Sequence, residues 1–304
     1  MANRRVTLGL IQHECGASVE SNLESTIAGI KRACARGAQI VCTQELFKSV
    51  YFCQSQALEY FKLAEPIPGP TTDLLCRTAR ENNTILIASL FEKRSSGVYH
   101  NSAVIIDETG RLLGVYRKLH IPDDPQFNEK YYFTPGDTGI RTWDTKYGKI
   151  GVQICWDQWF PEAARINCLQ GAEILFYPTA IGWIPSEKPT QGNKQHSAWE
   201  TIQRSHATAN GCFVASVNRV GFESHPNTEG LEFWGQSFIS DTQGCILTKA
   251  SSERCEELVA SIDLAEIETT RLQWPFLRDR RIDIYGDITC RMIDDSVSKS
   301  DFNP

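Results

Sequence analysis

A cysteine, a glutamate and a lysine, each standing where a strand-like run ends, are the residues through which this 304-residue sequence could do chemistry. Cys155 follows the alternating run Lys149-Ile-Gly-Val-Gln-Ile154, and Pro161-Glu162 opens a helix just after it, so Cys155 occupies a strand-to-helix elbow. An elbow exposes its side chain at the end of a sheet, where the backbone N–H of the next residue can face a developing negative charge. Glu45 follows the short apolar run Gln39-Ile-Val-Cys-Thr43, flanked by Val41, Leu46 and Phe47, and partial burial makes a carboxylate a usable base near neutral pH. Lys118 closes a strand-like run from Arg111, and a buried lysine with an anionic partner is the simplest way to hold a positive charge over a reacting carbonyl. Each residue also has an ordinary reading. A free cysteine is usually a small hydrophobe, a glutamate after a strand often caps a helix, and a lysine at a hairpin end is usually a solvated tip. What singles out these three is their company.

The elements that must position them alternate along the chain. Residues 5–12 read as a strand and 18–37 as a helix, with Leu23, Ile27, Ile30 and Ala33 at helical spacing and Gly37 at its end. Residues 71–82 read as a helix, 84–92 as a strand, and 99–107 and 111–118 as a hairpin about Glu108-Thr-Gly110. The segment 123–134 is too long and too aromatic for an idle connector, so it is expected to fold over a site with Glu129 as its polar contributor. The second half repeats the alternation, with helices at 160–171 and 197–211 and strands at 173–178, 213–220, 233–241, 245–249 and 258–262. Two mixed sheets packed face to face, each covered outside by helices, would hide every apolar face: an α/β four-layer α-β-β-α sandwich. A doubly wound single sheet fits the same pattern.

Composition narrows the partners. Thirty-one Lys and Arg against 37 Asp and Glu give a net charge of −6 without a basic stripe, which argues against nucleic acid and for a small molecule. No apolar run approaches the roughly 18 residues that span a bilayer. The N-terminus passes into a strand pattern without a signal-peptide core. Eleven cysteines, without CxxC pairs or His-rich ligand spacing, predict neither a disulfide framework nor a metal site, and point to the reducing cytoplasm. No linker composition interrupts the chain, so residues 1–293 read as one domain and 294–304 as a flexible tail.

The contexts Gln-Glu45-Leu-Phe, Arg-Lys118-Leu-His-Ile-Pro and Gln-Ile-Cys155-Trp-Asp-Gln-Trp-Phe-Pro-Glu, in this order, resemble the nitrilase superfamily of carbon–nitrogen hydrolases, from the first strand to about Tyr285. Within it the chain most resembles the branch that cleaves N-carbamoylputrescine, through Tyr51-Phe52-Cys53, Glu129-Lys-Tyr-Tyr-Phe133 and Ala180-Ile-Gly-Trp-Ile-Pro185. The resemblance implies the sandwich fold, a Glu45-Lys118-Cys155 triad with Glu129 as an additional glutamate, no metal or organic cofactor, and a homo-oligomer. It also implies hydrolysis of N-carbamoylputrescine to putrescine, carbon dioxide and ammonia through a cysteine thioester, in polyamine synthesis from agmatine.

The substrate's far end is the open question. Relatives acting on N-carbamoyl amino acids often carry an arginine shortly after the nucleophile; here Trp156, Asp157, Gln158 and Trp159 follow, and Arg165 is the first arginine. An ammonium end wants carboxylates and aromatic faces. Asp157, Glu187, Asp123 and Asp124 with Tyr51, Trp156, Trp159 and Trp183 could supply them, and Glu187 is the preferred ammonium partner. The alternatives are an N-carbamoyl-β-alanine or ω-amide hydrolase, with Arg219 clamping a carboxylate, and a non-catalytic binding protein of the same fold.

Overall fold

The structure, a computed structural model, describes residues 4–293; the tail read as flexible lies outside the described residues. Fifteen strands run in chain order as β1 (Arg5–Gln12), β2 (Ile40–Thr43), β3 (Ile85–Ser95), β4 (Val98–Ile106), β5 (Leu112–Arg117), β6 (Thr142–Thr145), β7 (Gly148–Val152), β8 (Ile174–Pro178), β9 (Gly182–Trp183), β10 (Phe213–Val217), β11 (Val220–Glu223), β12 (Leu231–Trp234), β13 (Phe238–Ser240), β14 (Ile246–Lys249) and β15 (Glu256–Asp263). They form two six-stranded sheets, ordered β15-β1-β2-β3-β4-β5 and β14-β13-β10-β8-β7-β6, and a three-stranded one, β11-β12-β9. The helices are α1 (Val19–Ala35), α2 (Pro70–Asn82), α3 (Glu129–Tyr132), α4 (Pro161–Leu169), α5 (Lys188–Asn210) and α6 (Ala265–Gln273).

The layering follows from period-two alternation. Val6, Leu8, Leu10, Ile40 and Cys42 of the first sheet meet Ile150, Val152, Ile174, Phe176 and Ala215 of the second in one buried cluster, while Ile11 and Val41 turn outward beneath Ile30 and Ala33 of α1. On the opposite outer face, Ala164 and Cys168 of α4 and Ala207 of α5 cover Leu175, Tyr177 and Val214. Burying a Val, Leu or Ile fully contributes roughly 1.5–3 kcal/mol, so the doubled sheet face is the main stabilising contact. This is the four-layer α-β-β-α arrangement.

Strand direction places the chemistry. β1, β2 and β3 are parallel, and β5, reached through two antiparallel pairings, runs the same way as β3. Thus the chain leaves β2 at Glu45 and β5 at Lys118 on the same edge. In the second sheet β7, β8 and β10 are parallel, and Cys155, Ala180 and Arg219 follow their carboxyl ends. The Glu45 N–H bonds to the Thr179 carbonyl at 3.3 Å, joining the two edges.

Three sequence expectations change. The run 213–220 ends as β10 at Val217, and Val220 opens β11 in the small sheet. The run 233–241 is not one strand: Gly235 and Gln236 take φ of +55° and +54°, and this left-handed corner carries the chain from β12 in the small sheet to β13 in the large one. The helix expected at 197–211 starts at Lys188, where Pro189 in the first turn begins it nine residues early.

Candidate active site

Cys155 stands at the turn between β7 and α4 with φ of +45°, a left-handed backbone that a non-glycine residue adopts only where its surroundings impose it. The turn is imposed by Asp157. Its carboxylate is fully buried and accepts four bonds: the Ile154 N–H (3.0 Å) and Tyr116 hydroxyl (2.7 Å) on Oδ2, and the His120 N–H (2.9 Å) and Nδ1 (2.7 Å) on Oδ1. The His120 ring in turn stacks on Phe160 at 3.7 Å. Asp157 therefore pins the elbow from beneath and is not among the residues lining the substrate cavity, contrary to its expected place beside an ammonium.

Lys118 joins the two glutamates. Its Nζ donates to Glu45 Oε1 at 2.9 Å and to Glu129 Oε2 at 2.6 Å, and all three side chains are sealed from solvent. An ammonium has three protons, so one remains for a substrate oxygen. Burial alone would lower the lysine pKa, but the charges of Glu129 and Glu45 outweigh it and hold the ammonium charged, well above its usual value. Burial, aided by the charge of Glu45, pushes the Glu129 carboxyl upward against the pull of Lys118. The Asn101 amide fixes Glu45 Oε1 at 2.7 Å and the Tyr51 hydroxyl fixes Glu129 Oε1 at 2.7 Å. Glu45 Oε2 is buried and meets no hydrogen-bond partner among the described residues. An unpaired buried acceptor costs about 1–3 kcal/mol, more when charged, so this oxygen is the one uncompensated atom of the cluster's carboxylates.

The Cys155 thiol is pushed well above its ordinary pKa, by burial first and by the charge of Glu45 second, with Lys118 opposing. It rests as a thiol at neutral pH and needs a base before it can attack. Glu45, with its unpaired Oε2, lies near enough for its charge to act on that thiol.

Cys155 and Glu129 open into a cavity of about 460 Å³, walled by Phe127, Trp156, Trp159, Ile181, Ile184 and Trp234, with Asp124 and Glu187 toward solvent. No Lys or Arg lines it among the described residues. Of the residues expected to bind substrate, Trp156 and Glu187 line this cavity, and so do Asp124 and Trp159. Three do not. Tyr51 is fully buried behind Glu129; Trp183 packs on Trp234 at 5.2 Å and donates its indole N–H to the Gly192 carbonyl; Asp157 is held as described. Arg219 is also fully buried and bonded to main-chain carbonyls and Glu223, so it clamps no substrate carboxylate. Sequence reasoning overlooked Asn101, Tyr116, Gln195 and Trp234; the signal for Asn101 was a polar His100-Asn-Ser102 set inside an otherwise apolar strand. Among the described residues no cluster of His, Cys, Asp or Glu could hold a metal ion, and no helix is long and apolar enough to cross a membrane.

Known proteins share this framework. The chain is 44% identical over 288 residues to N-carbamoylputrescine amidase of Solanum lycopersicum, covering 93% of this chain and 94% of that protein. It is 42% identical over 289 residues to a citrullinase of Francisella tularensis, covering 95% and 99%. A carbon–nitrogen hydrolase structure from Helicobacter pylori G27 superposes with a TM-score of 0.92 at 46% identity, covering 95% of this chain and all of that one. The family profile described as Carbon-nitrogen hydrolase matches residues 7–272, and the chain belongs to that family, within the nitrilase superfamily.

Proposed function

We propose that this protein hydrolyses N-carbamoylputrescine, with Cys155 as nucleophile, Glu45 as general base, Lys118 as oxyanion donor and Glu129 holding Lys118 in place. Glu45 Oε2 takes the Cys155 proton as sulfur attacks the ureido carbonyl. The remaining Lys118 proton and the Trp156 N–H, at the start of the short helical turn Cys155–Trp159, receive the oxyanion. Collapse breaks the C–NH₂ bond; Glu45 returns the proton and ammonia leaves, so that Cys155 carries an S-carbamoyl thioester. Water, deprotonated by Glu45, then attacks the thioester. The thiol is restored and an N-carboxyamine is released, which loses carbon dioxide to give putrescine.

One observation carries the choice of substrate: a cavity whose wall and mouth carry acids and aromatic faces but no Lys or Arg, with Lys118 buried behind the reacting end, suits a ureido group at one end and an ammonium at the other. Glu187 and Asp124 are the ammonium partners in this reading, and Trp156 and Trp159 the flanking faces. The names of relatives 42–44% identical to this chain support ureido cleavage. Free thiols on all eleven cysteines fit a reducing cytoplasm. Exposed Trp274, Phe276, Ile282 and Ile284 near the C-terminus fit a homo-oligomer. Ammonia release from N-carbamoylputrescine, citrulline and N-carbamoyl-β-alanine under matched conditions tests the reading. The first should exceed the others by at least about 100-fold in kcat/KM, which corresponds to about 2.7 kcal/mol. A preference for citrulline or N-carbamoyl-β-alanine would overturn it.

A further inference from the structure

The acid–base cluster is fastened to a buried arginine that does not touch the cavity. Arg219 precedes β11 and has no exposed surface. Its Nη2 donates to the carbonyl oxygens of Glu45 (3.0 Å) and Leu46 (2.9 Å), and its Nη1 to the Ser49 carbonyl (2.8 Å) and Glu223 Oε1 (2.7 Å). Three of these acceptors belong to one turn, in which Leu46 holds φ of +49°, a conformation that persists only when neighbours impose it. The other arm runs through Glu223, whose Oε2 accepts the Tyr51 N–H at 2.5 Å, while the Tyr51 hydroxyl donates to Glu129 Oε1 at 2.7 Å. Both carboxylates that grip Lys118 are therefore tied to the same guanidinium, Glu45 through its own main chain and Glu129 through Tyr51 and Glu223. A planar fork of donors suits several acceptors fixed at once; a lysine at the same place would reach fewer of them.

We propose that the Arg219–Glu223 pair is the positioning element of the acid–base cluster, setting where the open Oε2 of Glu45 points relative to the Cys155 sulfur. The inference rests on the reading of Glu45 and Cys155 as base and nucleophile. A pair that only stabilised the fold would change how much protein is folded, not the behaviour of each folded active site. A misplacement of about 1 Å at the reacting atoms can cost on the order of a hundredfold in rate, so the two cases differ measurably.

Arg219→Lys and Glu223→Gln provide the test, each compared with wild type per folded molecule by circular dichroism. Two readouts are taken: kcat and KM for ammonia release from N-carbamoylputrescine, and the pH profile of Cys155 alkylation by iodoacetamide, which needs no substrate. Cys155→Ser identifies the alkylated thiol. The expected result for Arg219→Lys is a fall in kcat of about tenfold to a hundredfold, KM within about threefold, and a displaced alkylation profile. Unchanged kcat and an unchanged alkylation profile in the folded variants would overturn the proposal. Should Arg219→Lys not fold, Glu223→Gln decides on the same readouts. If wild type releases no ammonia yet the variants still displace the alkylation profile, the positioning role stands and the substrate reading falls.

Discussion

The floor of the cavity and its mouth are built on opposite principles. At the floor and directly beneath it, Glu129, Glu45, Lys118 and Asp157 are all at most 1% exposed, and their polar atoms are matched by named partners apart from the single unpaired oxygen of Glu45. At the mouth, Asp124 and Glu187 are exposed; Glu187 meets Gln195 at 3.1 Å. Charges in a dry interior act at close to full strength, whereas exposed ones are screened by water and salt. The floor can therefore control the barrier of the chemical step over many orders of magnitude. The mouth can bias which molecule enters, and only modestly.

That contrast can be broken at either end. The largest effect belongs to Cys155→Ser, for which kcat for ammonia release should fall by on the order of 10³-fold or more; a loss smaller than about tenfold would remove the nucleophile from the account. Next is Asp157→Asn, which turns two accepting sites toward donors beneath the elbow. Its expected cost is about 1–3 kcal/mol of stability, read by thermal unfolding, with kcat lowered about tenfold to a hundredfold. Unchanged kcat would mean that the elbow does not depend on this carboxylate.

Tyr51→Phe is a subtler probe of the floor. The Tyr51 hydroxyl favours the ionised form of Glu129, whose pKa burial and Glu45 raise. Ionised Glu129 is what holds Lys118, so activity should fall as pH drops through that raised pKa, and removing the hydroxyl should move this acid limb of kcat/KM to higher pH. A shift to lower pH would contradict the assignment. The smallest effect is at the mouth: Glu187→Gln should raise KM for N-carbamoylputrescine about tenfold or less, leave kcat unchanged, and leave N-butylurea, which lacks the ammonium, unaffected. Equal losses for both substrates would show that Glu187 does not read the charge.

The strand-end residues of the floor were legible in the sequence, and so were Asp124, Trp156, Trp159 and Glu187 of the cavity wall and mouth; Asp157 was not. Glu45, Lys118 and Cys155 follow runs whose alternation and composition mark them as strands, and strand ends in a layered α/β fold converge at one edge. The layering itself was also readable, since apolar residues alternate along β1 and β2 to feed two different cores. What lay beyond reach were tertiary pairings with no local signature. Asp157 looked like an exposed acid near the nucleophile, yet Tyr116, His120 and Ile154 bring it four donors from two separate segments. Arg219 looked like a free clamp because nothing nearby in sequence announces the carbonyls of a turn 170 or more residues away. Trp234 enters the cavity only because the corner at Gly235 ends β12 there.

The central claim is that one sulfur, activated by Glu45, forms a covalent bond to the ureido carbon. Rapid-quench mass spectrometry of the enzyme mixed with N-carbamoylputrescine, followed by peptide mapping, addresses it directly. The account predicts a transient adduct that retains the aminobutyl chain, found on the peptide bearing Cys155 and missing in Cys155→Ser. An adduct on any of the other ten cysteines, or full turnover without one, would contradict it.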